Sequence, residues 1–160
     1  LLGSGTILRE VIGAAEILAA EFGVPADVFS VTSFSELRRE ALDAERWNML
    51  HPGEAPRTPY MKELLAGQSG PFVAATDYMR TVPDQIRQWV PGRYQVLGTD
   101  GYGRSDSRAA LRGFFEVDRR YIALAALKSL ADEGMLDMAT VVGAMQRFGI
   151  DPDKPNPVSV

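Results

Sequence analysis

The densest run of chemistry-bearing residues is Gly98-Thr99-Asp100-Gly101-Tyr102-Gly103-Arg104-Ser105-Asp106-Ser107-Arg108. Its glycines open backbone angles that other residues avoid, and the guanidinium forks of Arg104 and Arg108 match carboxylate or phosphate oxygens. The chemistry on offer is anion binding. The loop contains Gly-x-Gly, but neither the Gly-x-Gly-x-x-Gly of a dinucleotide turn nor the Gly-x-x-x-x-Gly-Lys of a P-loop. A turn held by its own Asp–Arg and Ser–backbone bonds is the simpler reading. Gly3-Ser4-Gly5-Thr6 is a second glycine-bearing turn, placed where helix amides favour an anion, although such turns are common without a ligand.

Nucleophilic chemistry has little to draw on. The chain has no cysteine, which removes thiol nucleophiles, thiolate zinc sites and disulfides. His51 is its single histidine, so a hydrolase would have to pair it with Ser33 or Ser105. Standing at a helix end before Pro52, His51 also reads as a helix-terminating residue facing the carbonyl dipoles.

Positioning these residues requires alternating strands and helices. Ile7, Val11, Ala14, Leu18 and Phe22 recur at helical spacing across 5–22, with Gly23 and Pro25 as stops. The run 27–32 has strand composition, and Ser33-Phe34-Ser35-Glu36 has the form of a capping box opening a helix to about Leu50. An irregular proline-rich loop covers 51–59, and a short helix covers about 60–66. Strands are predicted at 72–76 and 94–99, around a helix whose main body is 83–90 with Pro83 in its first turn. Ser107, Asp118 and Asp137 are predicted N-caps of three further helices, and 151–160 is a proline-containing tail that frays or lies extended. This pattern predicts an α/β three-layer sandwich with a mostly parallel, roughly five-stranded sheet, as one domain over 1–150 plus the tail. Phe114–Val117 is a candidate for the fifth strand. Three strands end in polar pairs, Thr32-Ser33, Thr76-Asp77 and Thr99-Asp100, which a parallel sheet brings to one edge. There they form either a binding rim or caps for the following helices.

Composition narrows the partners. The 160 residues carry a net charge of −4, with 17 basic residues scattered along the chain, which argues against a nucleic-acid surface or a polybasic membrane patch. No apolar run approaches the roughly 20 residues of a membrane span, and no signal peptide is visible. A cytoplasmic location is the expectation. Leu1 stands inside an apparent strand, so an excised piece of a longer chain is expected as well.

Four segments together identify a resemblance. They are Val31-Thr32-Ser33-Phe34, Glu45-Arg46-Trp47-Asn48-Met49-Leu50-His51-Pro52, Ala75-Thr76-Asp77-Tyr78-Met79 and the 97–108 loop. In these the chain resembles the homodimeric bacterial pyruvate dehydrogenase first components, and specifically their transketolase-like C-terminal domain. The resemblance implies a parent enzyme that decarboxylates pyruvate with thiamine diphosphate and Mg²⁺ and reductively acetylates a lipoyl group on the dihydrolipoyl acetyltransferase component. It also implies that the cofactor and the catalytic residues belong to other domains. No position here matches a catalytic, cofactor-binding or metal motif, and Pro83 departs from an uninterrupted helix of the family. The implied role is architectural, with Ser33, Asp77, Asp100, Tyr102, Arg104, Ser105 and Arg108 as candidate contacts to the other domains and the homodimer mate. The isolated chain is expected to be inactive. The competing expectation is a free-standing small-molecule or anion-binding domain that uses the 100–108 loop.

Overall fold

The computed structural model describes residues Leu1–Val160. Strands β1 (Leu2–Gly3), β2 (Phe29–Ser30), β3 (Phe72–Ala75) and β4 (Tyr94–Leu97) form one parallel sheet in the order β2-β1-β3-β4. Leu2 pairs with Phe29 on one side and Ala74 on the other, and Ala74 continues to Val96.

The period-two alternation of strand side chains splits the core into two layers. Leu1, Val73, Ala75 and Leu97 point to one face, against α1 (Leu8–Phe22), α6 (Arg119–Asp132) and α7 (Met138–Arg147). Leu2, Phe72, Ala74, Tyr94 and Val96 point to the other face, against α2 (Phe34–Leu50) and α3 (Tyr60–Leu64). The same face receives Ile86 and Trp89, from the segment that follows α4 (Thr81–Asp84). A sheet buried on both sides is the rule for parallel strands, and it explains why β3 is wholly apolar.

Helix starts follow their caps. Ser33 Oγ accepts from the Glu36 amide at 3.2 Å, although the Glu36 carboxylate turns to Arg39 rather than closing a capping box. Ser107 caps α5 (Arg108–Phe114), while Asp118 caps α6 and Asp137 caps α7.

Four expectations change. The sheet has four strands, not five. Phe114–Val117 does not extend, because Glu116 takes a left-handed φ of 61° and the Val117 amide donates back to the Arg112 carbonyl, closing α5. The stretch 83–90 is not one helix. Pro83 lies inside α4, and a 3₁₀ turn at Arg87–Trp89 follows. The buried Tyr94 hydroxyl donates to the Pro83 carbonyl at 2.9 Å, fixing the break, and burial pushes this phenol well above its ordinary value. Strand β4 stops at Leu97 because Gly98 presses on the 78–80 backbone, where a Cβ would meet the Tyr78 carbonyl oxygen at 2.7 Å.

The tail neither frays nor extends. Lys154 Nζ donates to the Phe114 carbonyl at 2.5 Å and to Glu116 at 3.1 Å, placing a cation on the α5 carboxyl end. Pro157 is buried, and a 3₁₀ turn covers Pro157–Ser159.

Candidate functional site

Strand order reverses between β1 and β3, since β2 lies on one side of β1 while β3 and β4 lie on the other. In open parallel sheets the crevice beyond the carboxyl ends at such a point is where ligands bind. Here Ser4 donates to Thr76 Oγ1 at 2.8 Å, a buried bond that closes the seam between the two strand ends. Thr6 Oγ1 donates to Asp77 Oδ2 at 3.2 Å, and Asp77 Oδ1 lies 3.2 Å from where a Cβ on Gly5 would be. The Asp77 carboxylate therefore lies beside the Gly3–Thr6 turn, held by the Thr6 hydroxyl.

Thr99 Oγ1 donates to the Asp77 carbonyl at 2.7 Å, and its amide donates to Tyr78 O at 2.9 Å, tying β4 to β3 beyond the sheet. Asp100 turns inward, accepting from the Arg80 amide at 3.0 Å at the start of α4 and pairing with Arg80 Nε at 3.6 Å. Ser33 caps the helix that follows it, as the capping alternative expected, whereas Asp100 braces the backbone upstream of it and caps no following helix.

The rest of the 100–108 loop faces outward. Gly101 has φ 108°, and a Cβ there would collide with the Pro157 carbonyl, so the docked tail packs against the loop backbone. Tyr102 is 80% exposed. Arg104 stacks over the Phe114 ring at 4.0 Å, and Ser105 and Arg108 are also exposed. Neither arginine has a carboxylate partner among the ion pairs. Tyr78 and Met79, which the sequence reading did not single out as contacts, stand on the same strand-end edge at 62% and 58% exposure. Their signal was position alone, directly after a strand-end Thr-Asp.

An open crevice of about 630 Å³ joins these parts, lined by Thr6, Asp77, Thr99, Tyr102, Arg104, Asp106, Arg108 and Arg112 above an apolar floor that includes Leu111 and Phe115. Behind it, Glu10 is 8% exposed and accepts from Arg112 Nη1 at 2.9 Å, from Arg119 Nε at 3.1 Å and from the Arg119 amide at 3.2 Å. Burial alone would raise the Glu10 carboxyl, but the Arg119 hydrogen bonds and the two guanidinium charges hold it below the ordinary range. Sequence reasoning missed this cluster. Glu10 falls three residues after Ile7, on the buried stripe of α1, and that was its only signal.

His51 does not meet a serine. Its Nδ1 lies 2.9 Å from the Trp47 carbonyl, and its ring stacks on Trp47 at 4.4 Å. Ser33 is at the opposite end of the 17-residue α2, about 25 Å away at 1.5 Å per residue. A helix connecting parallel strands runs back toward their amino ends, so His51 also lies away from the edge that carries Ser105. The hydrolase reading has no geometry to rest on. No three His, Cys, Asp or Glu side chains converge on a metal-sized space, and the Asp77 carboxylate beside the Gly3–Thr6 turn would repel a diphosphate there, so these residues do not fit a diphosphate–Mg²⁺ group.

Comparison with known proteins agrees with this picture. The family model described as the transketolase-like TK C-terminal domain matches residues 1–118. The pyruvate dehydrogenase E1 component of Pseudomonas aeruginosa is 58% identical over 159 residues, which is 99% of this chain and 18% of that protein. The pyruvate dehydrogenase E1 components of Cupriavidus necator and Escherichia coli K12 are 54% and 56% identical over 100% and 98% of the chain, and again 18% of each relative is covered. The chain thus spans about a fifth of the length of these relatives. With a parallel sheet, helices on both faces and a matched segment running from β1 to the cap of α6, this chain belongs to the transketolase-like C-terminal domain family.

Proposed function

We propose that this chain is the assembly domain of a pyruvate dehydrogenase E1 component, and that its strand-end edge contacts the remaining domains and a homodimer mate. The parent enzyme decarboxylates pyruvate and passes the acetyl group to a lipoyl group of the dihydrolipoyl acetyltransferase, in the cytoplasm. Thiamine diphosphate and Mg²⁺ bind elsewhere in the enzyme, and the 160-residue chain alone is catalytically silent. The domain extends over 1–150, because Ile122, Leu127, Val141 and Phe148 share one core with Val11 and Val73. Residues 151–160 form a terminal strap on it.

The observation that carries the reading is the exposed edge itself. Tyr78, Met79 and Tyr102 are exposed on the strand-end edge that also carries the unpaired Arg104 and Arg108, a composition enriched in interface centres. Of the candidate contacts, Tyr102, Arg104, Ser105 and Arg108 are free to reach another domain. Asp100 and Ser33 shape the edge through the Arg80 and Glu36 amides, and Asp77, itself exposed, is held to the Thr6 hydroxyl.

Sedimentation of the full-length enzyme tests this. Tyr102→Ala and Arg104→Ala should each weaken dimerisation by about tenfold, the effect of losing roughly 1.4 kcal/mol at an interface anchor. An unchanged dimer in the double variant would overturn the reading.

A further inference from the structure

Residues 101–106 make no backbone–backbone hydrogen bond, and the one bond near them, from the Ser107 amide to Asp106 Oδ1, closes only the last step before α5. The ends of the loop are tied, at Asp100 to the Arg80 amide and at Ser107 by the cap of α5. Between those ends two contacts hold it. Gly101 presses on the Pro157 carbonyl, which stands 2.3 Å from where a Cβ would be, and Arg104 lies over the Phe114 ring. Both contacts lead to the tail. Lys154 Nζ donates to the Phe114 carbonyl at 2.5 Å, to the Gly113 carbonyl at 3.3 Å and to Glu116 at 3.1 Å. An ammonium has three protons, so every donor of this half-buried lysine is used on the end of α5. The same nitrogen lies 5.4 Å from the centres of the Phe114 and Tyr121 rings. Phe114 thus joins the loop cation to the tail cation.

We infer that residues 151–160 are a clasp, latched by Lys154, that holds the 98–107 loop in the form its partner meets. The clasp's role in assembly rests on the reading of this edge proposed above. Lys154 is the only basic residue of the tail, so the latch has no substitute within it. Pro155 and Pro157 stiffen the run from the latch to the loop, because each fixes its own φ and lowers the entropy lost when the tail docks. A loop already ordered by the clasp loses less conformational freedom when another domain meets it, so a closed clasp strengthens that contact. The coupling is reciprocal: a partner seated on the loop holds the clasp shut by the same factor.

Backbone NMR relaxation of the 160-residue chain tests the clasp. Lys154→Met removes the latch, and truncation after Lys154 keeps the latch but removes the Pro157 contact. In each, the order parameters of 101–106 should fall from about 0.85 to below about 0.6, while those of α1 and α6 stay the same. Lys154→Arg keeps a cation that can donate to the same carbonyls and should leave the loop as ordered as in the wild type. Unchanged order parameters at 101–106 in both the Lys154→Met and the truncated chain would overturn the proposal. So would a loss spread equally over α1 and α6, since the tail would then support the whole fold rather than the loop. Sedimentation of the full-length enzyme carrying the same two changes reads the assembly role separately, with dimerisation expected to weaken about tenfold. A loosened loop with an unchanged dimer would count against the assembly reading of the edge and leave the clasp standing.

Discussion

Arg108 and Arg112 lie one helical turn apart on α5, yet they do opposite things. Arg112 is swallowed by the fold, its side chain 17% exposed and locked to Glu10 from α1, while Arg108 ends in the open crevice with no partner. The difference lies in the third dimension. At position 112 the helix passes the first turn of α1, where Glu10 waits with Arg119 of α6 on its other side, so three elements meet around one carboxylate. At position 108 the helix has just left the loop and nothing crosses it. One cluster spends its charges on holding helices together, and the other leaves them available to something outside the chain.

The largest expected effect breaks the first region. Glu10→Ala leaves Arg112 and Arg119 facing each other without a counter-charge, a loss of about 3 kcal/mol for a mostly buried pair, so the melting temperature should fall by roughly 10 °C. Acid should do the same more gently. Because the folded Glu10 carboxyl titrates below its unfolded value of about 4.3, its contribution is complete above that pH and is lost as pH falls through the folded value. Chemical denaturation between about pH 5 and pH 3 should therefore show a flatter stability profile in Glu10→Gln than in the wild type.

The strap region should respond next. Gly101→Ala forces a side chain onto φ 108° and into the Pro157 carbonyl, at a cost of about 1–3 kcal/mol, and limited proteolysis should then cut 151–160 sooner. Ser33→Ala removes the α2 cap and should cost about 1 kcal/mol in urea unfolding. The smallest effect sharpens the opening contrast. Arg108→Ala should change stability by less than about 0.5 kcal/mol, whereas Arg112→Ala on the same face should destabilise measurably.

What was readable in the chain was local. The caps Ser33, Ser107, Asp118 and Asp137 sit where a short polar side chain precedes an apolar period, and each is used as one. The apolar run 72–75 became a strand covered on both faces, and 94–97, interrupted by the exposed Gln95, became the edge strand beside it. The gathering of polar strand ends at one edge also followed from alternation alone. The misses depend on contacts far along the chain. Phe114–Val117 has strand composition, but Lys154 and the left-handed Glu116 make it a helix end. The partners of Glu10 are 102 and 109 residues away, beyond any spacing rule. Asp100 and Ser33 were grouped with Tyr102 and Arg104 because type and position look alike, and only the Arg80 and Glu36 amides tell them apart.

The most direct test of the claim that the strand-end edge is the working surface is amide hydrogen exchange, compared between the 160-residue chain and the assembled full-length enzyme. The account predicts that exchange at 77–80 and 98–107 slows on assembly, while α1 and α6 around Glu10 keep the same rates in both. Equal exchange at the edge in the two states, with slowing elsewhere, would contradict it.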